Sequence, residues 1–235
     1  MRINKLALTN FRSYNSLELD LEPGVTTFVG DNGSGKTNIA ESLIYLAFLS
    51  SHRVANNVPL ISLGNQQAII RAEVQRDDRT LQIDLEINAT KANRARINGN
   101  PTRSQRELLG AIQIVYFSPE DLDLVRGEPG NRRDFLDRLL ITRTPRLAGV
   151  IADYERVVKQ RNALLKTRTS AAALVPWNEQ LIKLGAELTA ERIALIEVLN
   201  PWVAKNYANL NEVKPASISY KCSTDGVTKN IEENV

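Results

Sequence analysis

Two residue types that build many catalytic and metal sites occur only once each in this 235-residue chain, as Cys222 and His52. A single cysteine excludes a disulfide framework and a cysteine-based metal cluster, and it suits a reducing compartment. A single histidine excludes multi-histidine metal centres, and a Ser-His-Asp triad would have to be built on His52 alone. We therefore expect the chemistry to rest on other residue types.

Long apolar runs are absent as well. The longest, residues 43–49, is too short to span a bilayer, and the first residues lack the apolar segment of a signal peptide. With 43% hydrophobic residues, the chain can bury a core of one large domain or of a domain and a half. These features predict a cytoplasmic protein that does not contact a membrane.

The most informative segment is residues 30–37, which read G-D-N-G-S-G-K-T and match the phosphate-loop pattern G-x-x-x-x-G-K-[ST]. β-Branched and aromatic residues precede it at 25–29 and predict a buried strand. Apolar residues recur at helical spacing from 39 to 48 and predict a helix. Strand, loop and helix in this order favour a phosphate-binding loop over a glycine-rich turn that caps an ordinary helix.

The loop predicts a site for ATP and magnesium. Its glycines allow backbone N–H groups to point at a chain of phosphates beside the positive end of a helix dipole. Lys36 is the predicted catalytic residue because its ammonium would reach the β- and γ-phosphates, and the Thr37 hydroxyl would bind Mg²⁺. The predicted nucleotide-binding residues are Gly30, Asp31, Asn32, Gly33, Ser34, Gly35, Lys36 and Thr37.

The remainder of the first 125 residues reads mainly as strands. After the first two strands, a hairpin and an Asn98-Gly99 turn predict an antiparallel insertion, and Ser118 begins a short helix that ends at Gly127. Arg12, between the first two strands, needs a solvated turn or an anionic partner, and composition favours the solvated turn. The predicted strands are 3–8, 17–21, 67–75, 79–88, 91–97 and a buried one at 112–117.

The second half of the chain is helical in pattern. Apolar residues form a stripe along 147–165, and Leu181, Leu188, Leu195 and Trp202 recur at intervals of seven, which is typical of a coiled-coil-like seam. Residues 167–176 are predicted to link the two helices into an antiparallel hairpin. The sequence thus predicts an α/β fold with α+β character, in which residues 1–125 form a head lobe with the phosphate loop. Residues 126–235 form a helical arm and the start of return strands.

Charge is distributed unevenly. Residues 126–168 hold eleven lysines and arginines against five acids, a net of +6 when the whole chain is +3. A basic helical arm indicates a polyanion partner, and Arg132, Arg133 and Lys159 are its candidate DNA-binding residues. A solvated face with scattered ion pairs accounts for the charge counts equally well.

An acidic strand end that would hold magnesium and position water is missing. The nearest candidate, residues 81–86, alternates like a half-exposed strand whose acids face away from the core. The chain ends in a polar tail at 229–235. We therefore expect this sequence to be the N-terminal part of a longer protein.

Five segments together resemble the RecF family of bacterial recombination mediators. They are the loop itself, L-T-N-F-R-S-Y at 8–14, Y-F-S-P-E-D-L at 116–122, G-N-R-R-D-F-L-D at 130–137 and K-Q-R-N-A-L-L-K at 159–166. The similarity is colinear and extends to about Trp202.

This resemblance implies an ATPase head of the ABC and SMC type that dimerises with ATP between two subunits. The family binds DNA at single-strand gaps and junctions and acts with RecO and RecR to load RecA. On this chain, Arg12 would lie near the nucleotide, and Arg53 is a weaker candidate for contact with the γ-phosphate or with DNA. The family's signature loop and second acidic motif are absent here, so the intact protein would be a DNA-stimulated ATPase and this chain would hydrolyse essentially no ATP.

Two other functions use the same loop. A small P-loop kinase would need a compact parallel sheet and an arginine-rich lid, and the antiparallel insertion argues against it. A scaffold that binds nucleotide without turnover fits the chain as it stands.

Overall fold

The computed structural model describes residues 1–54, 56–167, 170–210 and 215–222. It divides into two compact units, of which the first comprises Met1–Leu122 with Ile141–Pro145 and the second comprises Asp123–Leu140 with Arg146–Val235. The division predicted after residue 125 stays a prediction. The polar tail at 229–235 lies outside the described residues.

The first unit is built on a six-stranded antiparallel sheet with the strand order β2-β1-β3-β4-β5-β6. The predicted first two strands and the hairpin are confirmed, because each pairs with its neighbour in continuous antiparallel register. β5 is shorter than predicted, since the backbone N–H of Asn88 donates to the Asn93 side chain at 3.0 Å and pairing starts only at the next residue. The strands are β1 Arg2–Phe11, β2 Tyr14–Asp20, β3 Gln67–Arg76, β4 Arg79–Asn88, β5 Arg94–Ile97 and β6 Asn100–Pro101.

One face of this sheet carries the core. Alternate residues of β1, β3 and β4 are apolar and buried there, while the residues between them are mostly polar and more exposed. The helix α1, Lys36–Phe48, contributes Ile39, Tyr45 and Leu46 to the same core. The fully buried leucines and isoleucines each stabilise the fold by about 1.5–3 kcal/mol. The buried strand residues include Leu6, Leu8, Ile70, Val74, Ile83, Leu85 and Ile87.

Two predictions of buried strands are wrong. Residues 25–29 form no strand and expose Val25 (96%) and Val29 (89%), and residues 113–117 expose Val115 and Phe117 while only Ile112 is buried. A strand with apolar residues on both faces is buried only when strands pair with its edges and other elements cover its faces. None of the strands in the described part of the chain pairs with either segment.

The second unit is helical. Its elements are α2 Asp123–Arg126, most of α3 Pro129–Arg143, α4 Leu147–Lys166 and α5 Ala171–Ala208. The short helix predicted from Ser118 is present as a 3₁₀ turn, Pro119–Leu122, followed by α2, which ends before Gly127 as predicted. Residues 215–222 form no strand, so the predicted start of return strands is not found among the described residues.

The predicted antiparallel hairpin of α4 and α5 is confirmed. Arg146 at the start of α4 contacts Glu187, whereas Arg161 near its end donates to Asn178, so the two helices run in opposite directions. Of the residues at intervals of seven, Leu188 and Leu195 are buried, while Trp202 is 60% exposed and lies outside the seam.

The predicted link at 167–176 is wrong. α5 begins at Ala171 and contains Pro176 in its second turn, where the proline removes one backbone hydrogen bond without ending the helix. The second unit also holds a nearly buried ion pair between α3 and α5. There the Arg192 guanidinium donates to both carboxylate oxygens of Asp137, at 2.8 and 2.7 Å.

Candidate nucleotide site

The phosphate loop ends at an uncapped helix. Gly35 is the N-cap of α1 with a left-handed backbone (φ +98°), and no side chain accepts a hydrogen bond from the first turn. That turn also contains no acidic residue. Its backbone N–H groups and the positive end of the helix dipole therefore have no internal counter-charge, and they suit an anion such as phosphate.

The Lys36 side chain folds back onto the backbone of the phosphate loop. Its Nζ donates to the carbonyl oxygens of Gly30 and Asp31, at 2.6 and 2.7 Å. The Lys36 residue is half-buried, and its ammonium lies against the backbone of the loop. A phosphate chain would offer charged oxygens in place of these two neutral carbonyls, and hydrogen bonds to charged acceptors are roughly twice as strong.

The turn between β1 and β2 packs against the same loop. The Tyr14 hydroxyl donates to the Ser34 carbonyl at 3.5 Å, and the Asn38 side chain donates to the Ser13 hydroxyl at 3.0 Å. A Cβ added at Gly35 would lie 2.7 Å from the Ser13 hydroxyl oxygen and 2.8 Å from that of Tyr14. Position 35 therefore requires a glycine, because its backbone is left-handed and because no space is available for a side chain.

Thr37 is exposed in the first turn of α1, next to Lys36. Its hydroxyl is a suitable oxygen ligand for Mg²⁺, which in nucleotide sites takes few protein ligands and completes its shell with phosphate oxygens and water. Among the described residues, no group of three or more histidines, cysteines or acids could hold a metal ion by itself. The donor set fits magnesium bound together with a nucleotide, with Thr37 as the residue that would hold it.

Arg12 does not lie in a solvated turn, so that preference was wrong. Its Nε and Nη2 donate to the two carboxylate oxygens of Glu41, at 2.9 and 2.6 Å, and its Nη1 donates to the Pro59 carbonyl at 2.9 Å. Its backbone is left-handed (φ +54°) and is fixed by an N–H bond to the Leu60 carbonyl at 2.8 Å. Arg12 is therefore attached to α1 beside the loop, with its guanidinium already engaged.

Glu41 is the residue that the sequence did not reveal. It is fully buried in α1, accepts a bond from Ser51 Oγ at 2.5 Å, and accepts a weaker one from Arg53 Nη1 at 3.2 Å. Burial raises the pKa of this carboxyl, but the bonds from Arg12 and Ser51 and the charges of both arginines outweigh burial and lower the pKa. Glu41 is therefore a buried anion.

Arg53 belongs to the same cluster. Besides Glu41, its Nη1 donates to the Asn38 side chain at 3.2 Å, and its own side chain is 39% exposed. The structure thus brings Arg12 and Arg53 to one carboxylate five residues after Lys36. An acid inside an apolar helical stripe, with an arginine that needs an anionic partner, was the available sequence signal for this cluster.

The arm residues lie in the second unit, and all three are exposed. Arg132 donates from Nη1 to the carbonyls of Leu124 and Gly127, each at 3.1 Å, so it caps the end of α2. Arg133 lies in the first half of α3, and Lys159 lies on α4. Arg161, which falls on the apolar stripe, spans the hairpin to Asn178 at 2.7 Å.

Residues 1–213 match the family described as AAA ATPase domain. The chain belongs to this ATPase family. The resemblance to RecF is confirmed as well, because the DNA replication and repair protein RecF of Streptomyces avermitilis is 48% identical over 237 residues. That alignment covers 96% of this chain and 64% of the relative. The RecF of Kineococcus radiotolerans is 51% identical over 83% of this chain and 52% of its own length.

Solved structures give the same result for the fold. The recombination mediator protein RecF with ATP, of the RecFOR pathway, is 25% identical and superposes with a TM-score of 0.78 over 89% of this chain and 58% of that one. The RecF-ATPrS structure superposes with a TM-score of 0.84 at 24% identity, over 90% of this chain and 58% of that one. The chain thus spans between about half and two thirds of the length of these relatives.

In the described part of the chain, no helix has the length and apolarity needed to cross a membrane.

Proposed function

We propose that this chain binds ATP at residues 30–37, as the nucleotide-binding lobe of a DNA replication and repair ATPase. The observation that carries the proposal is the site of Lys36. The lysine bridges two loop carbonyls at the uncapped, acid-free N-terminus of α1. Backbone N–H groups, an ammonium and the Thr37 hydroxyl together match the donors that a magnesium-bound triphosphate requires.

In the intact protein, ATP binding would drive the formation of a homodimer that binds single-stranded and gapped duplex DNA. RecO and RecR would be its partners in loading RecA at single-strand gaps, and DNA would stimulate ATP hydrolysis. The names of the RecF relatives and their RecFOR structures support this role in replication and repair. The arm residues Arg132, Arg133 and Lys159 would contribute phosphate contacts, since all three are exposed.

We expect this chain alone to hydrolyse essentially no ATP. Glu41, the buried carboxylate nearest in sequence to the loop, is committed to two arginines and a serine. Asp84 in β4 pairs with Arg71 at 3.4 Å, and its side chain is 36% exposed. Both acids are paired with arginines, so we expect hydrolysis to need a carboxylate from elsewhere.

The second candidate function is a nucleotide-binding scaffold without turnover, which the same commitment of the acids favours. Phosphate release, measured on the intact protein with and without gapped DNA, separates the two. An ATPase stimulated by DNA releases phosphate faster when DNA is present, whereas a scaffold releases none in either condition. A small-molecule kinase is disfavoured by the wholly antiparallel sheet of the first unit.

A further inference from the structure

A second basic region lies in the first unit. Residues 91–106 contain five lysines and arginines and no acid. The segment includes β5 and β6, which form one edge of the sheet, and enters the 3₁₀ helix Gln105–Leu108. Its net charge of +5 over sixteen residues is a higher density than the +6 over forty-three residues of the arm.

The strand register places Arg71, Arg94 and Arg96 on the sheet face opposite the core. Arg71 of β3 pairs with Asp84 of β4, and Asp84 pairs in turn with Arg96 of β5. Arg94 lies across from Glu86 in the same register. Together with Arg103 these side chains line a groove of about 530 Å³. The groove thus contains four arginines and two carboxylates.

Hydrogen bonds fix the backbone around the groove. The Asn93 side chain donates to Gln105 Oε1 at 3.0 Å, which ties the start of β5 to the 3₁₀ helix. Glu107 accepts from the backbone N–H of Arg103 at 2.8 Å, and Thr102 N–H donates to the Ala95 carbonyl at 3.0 Å. The backbone that presents the arginines is therefore held in place before any partner binds.

The two carboxylates do not neutralise the groove. Arg71 contacts Asp84 at 3.4 Å with side chains 50% and 36% exposed, and ion pairs this exposed are weak and screened by salt. Two positive charges remain in excess, and guanidinium groups present planar donors that match phosphate oxygens. The recorded ion pair engages Arg71, which lies on β3, and the three other arginines belong to the basic segment itself.

We infer that this groove binds backbone phosphates of duplex DNA. It has no aromatic side chain on which an unpaired base could stack, and stacking is the main source of affinity in sites for single strands. Arginines spread over neighbouring strands suit the phosphates of a duplex, which bind without sequence preference. The inference rests on the proposed DNA-binding function and adds to it the surface that contacts the duplex.

The test compares the unmodified full chain, as the parent, with two triple variants of it. The groove variant carries Arg94→Gln, Arg96→Gln and Arg103→Gln. The control variant carries Arg2→Gln, Arg76→Gln and Arg79→Gln, three exposed arginines at the other end of the strands. Fluorescence anisotropy measures affinity for a labelled 20-base-pair duplex and for one of its single strands across a salt series. Circular dichroism confirms that both variants are folded.

We expect the groove variant to bind duplex DNA at least about tenfold more weakly than the parent. The slope of log affinity plotted against log salt concentration should become shallower by about 0.9 for each lost phosphate contact. The control variant should bind like the parent, and the parent should prefer duplex to single strand. Equal affinity of the groove variant and the parent, equal weakening of both variants, or a preference for the single strand would overturn the inference. Those results would leave the proposed function intact. If the parent binds neither duplex nor single-stranded DNA at low salt, the proposal that this chain binds DNA is itself contradicted.

Discussion

The Arg12 guanidinium and the Glu41 carboxylate form a two-bond ion pair, at 2.9 and 2.6 Å, between residues 29 positions apart. The pair joins the turn after β1 to α1, and the two residues that follow Arg12 pack against Gly35 at the base of the phosphate loop. Because Glu41 is fully buried, breaking the pair would leave a charge without compensation. The pair therefore fixes the turn that packs against the proposed nucleotide site.

Replacing Arg12 by alanine should destabilise the first unit by about 3 kcal/mol, the lower end for a broken buried pair, because Ser51 and Arg53 still contact Glu41. Arg53→Ala is the matched control. Its side chain is 39% exposed and its contact is longer, so the loss should be about 0–1 kcal/mol. Urea denaturation of both variants gives the two values, and an equal cost for the two arginines would contradict this assignment.

The buried Glu41 should also make stability depend on pH. Its pKa is lower in the folded state, so its contribution is fully present above the unfolded value of about 4.3 and is lost as the pH falls through the folded value. The free energy of unfolding of the parent minus that of Glu41→Gln should therefore be largest near neutral pH and shrink below about pH 4. A difference that stays constant from pH 7 to pH 3 would mean that the charge of Glu41 contributes nothing.

Gly35→Ala should abolish nucleotide binding and lower stability more than Gly33→Ala does. Both glycines have left-handed backbones, which cost another residue about 1–2 kcal/mol. A Cβ at Gly33 meets nothing within 4 Å, whereas one at Gly35 collides with Ser13 and Tyr14. Thermal unfolding and titration with a fluorescent ATP analogue measure the two effects, and indistinguishable variants would argue against the wall formed by the β1–β2 turn.

The arm makes a separate prediction for the intact, ATP-bound protein. Alanine at Arg132, Arg133 and Lys159 should weaken duplex binding and flatten the salt dependence by about one unit per lost contact. Because Arg132 also caps α2, the double variant of Arg133 and Lys159 separates DNA contact from helix stability.

The control for the arm is Arg146→Ala with Arg156→Ala, which removes two exposed arginines that already pair with acids of the same unit. This variant should bind duplex like the parent. If the triple variant keeps the parent's affinity and slope, the arm is a structural or dimerisation element.

Local patterns predicted the loop, α1, four strands and the hairpin of α4 and α5, because glycine spacing and apolar periodicity report backbone conformation directly. Burial at 25–29 and 113–117 was not predictable, since an apolar run is consistent with a covered strand but does not supply the strands that cover it. The partner of Arg12 was missed for a related reason. The Glu41 carboxylate lies 29 residues from Arg12 on a helix with a mainly apolar pattern. A contact between residues so far apart in the sequence leaves no periodic pattern that predicts it.

The central claim, that residues 30–37 bind ATP through Lys36, is tested most directly by isothermal titration of Mg-ATP into the parent and into Lys36→Ala. Lys183→Ala, which removes an exposed lysine of α5, is the control. We predict that Lys36→Ala shows no measurable ATP binding and no ATP-dependent dimer in the intact protein, while it unfolds at the parent's temperature and the control binds normally. Unchanged ATP affinity in the Lys36→Ala protein would contradict the account.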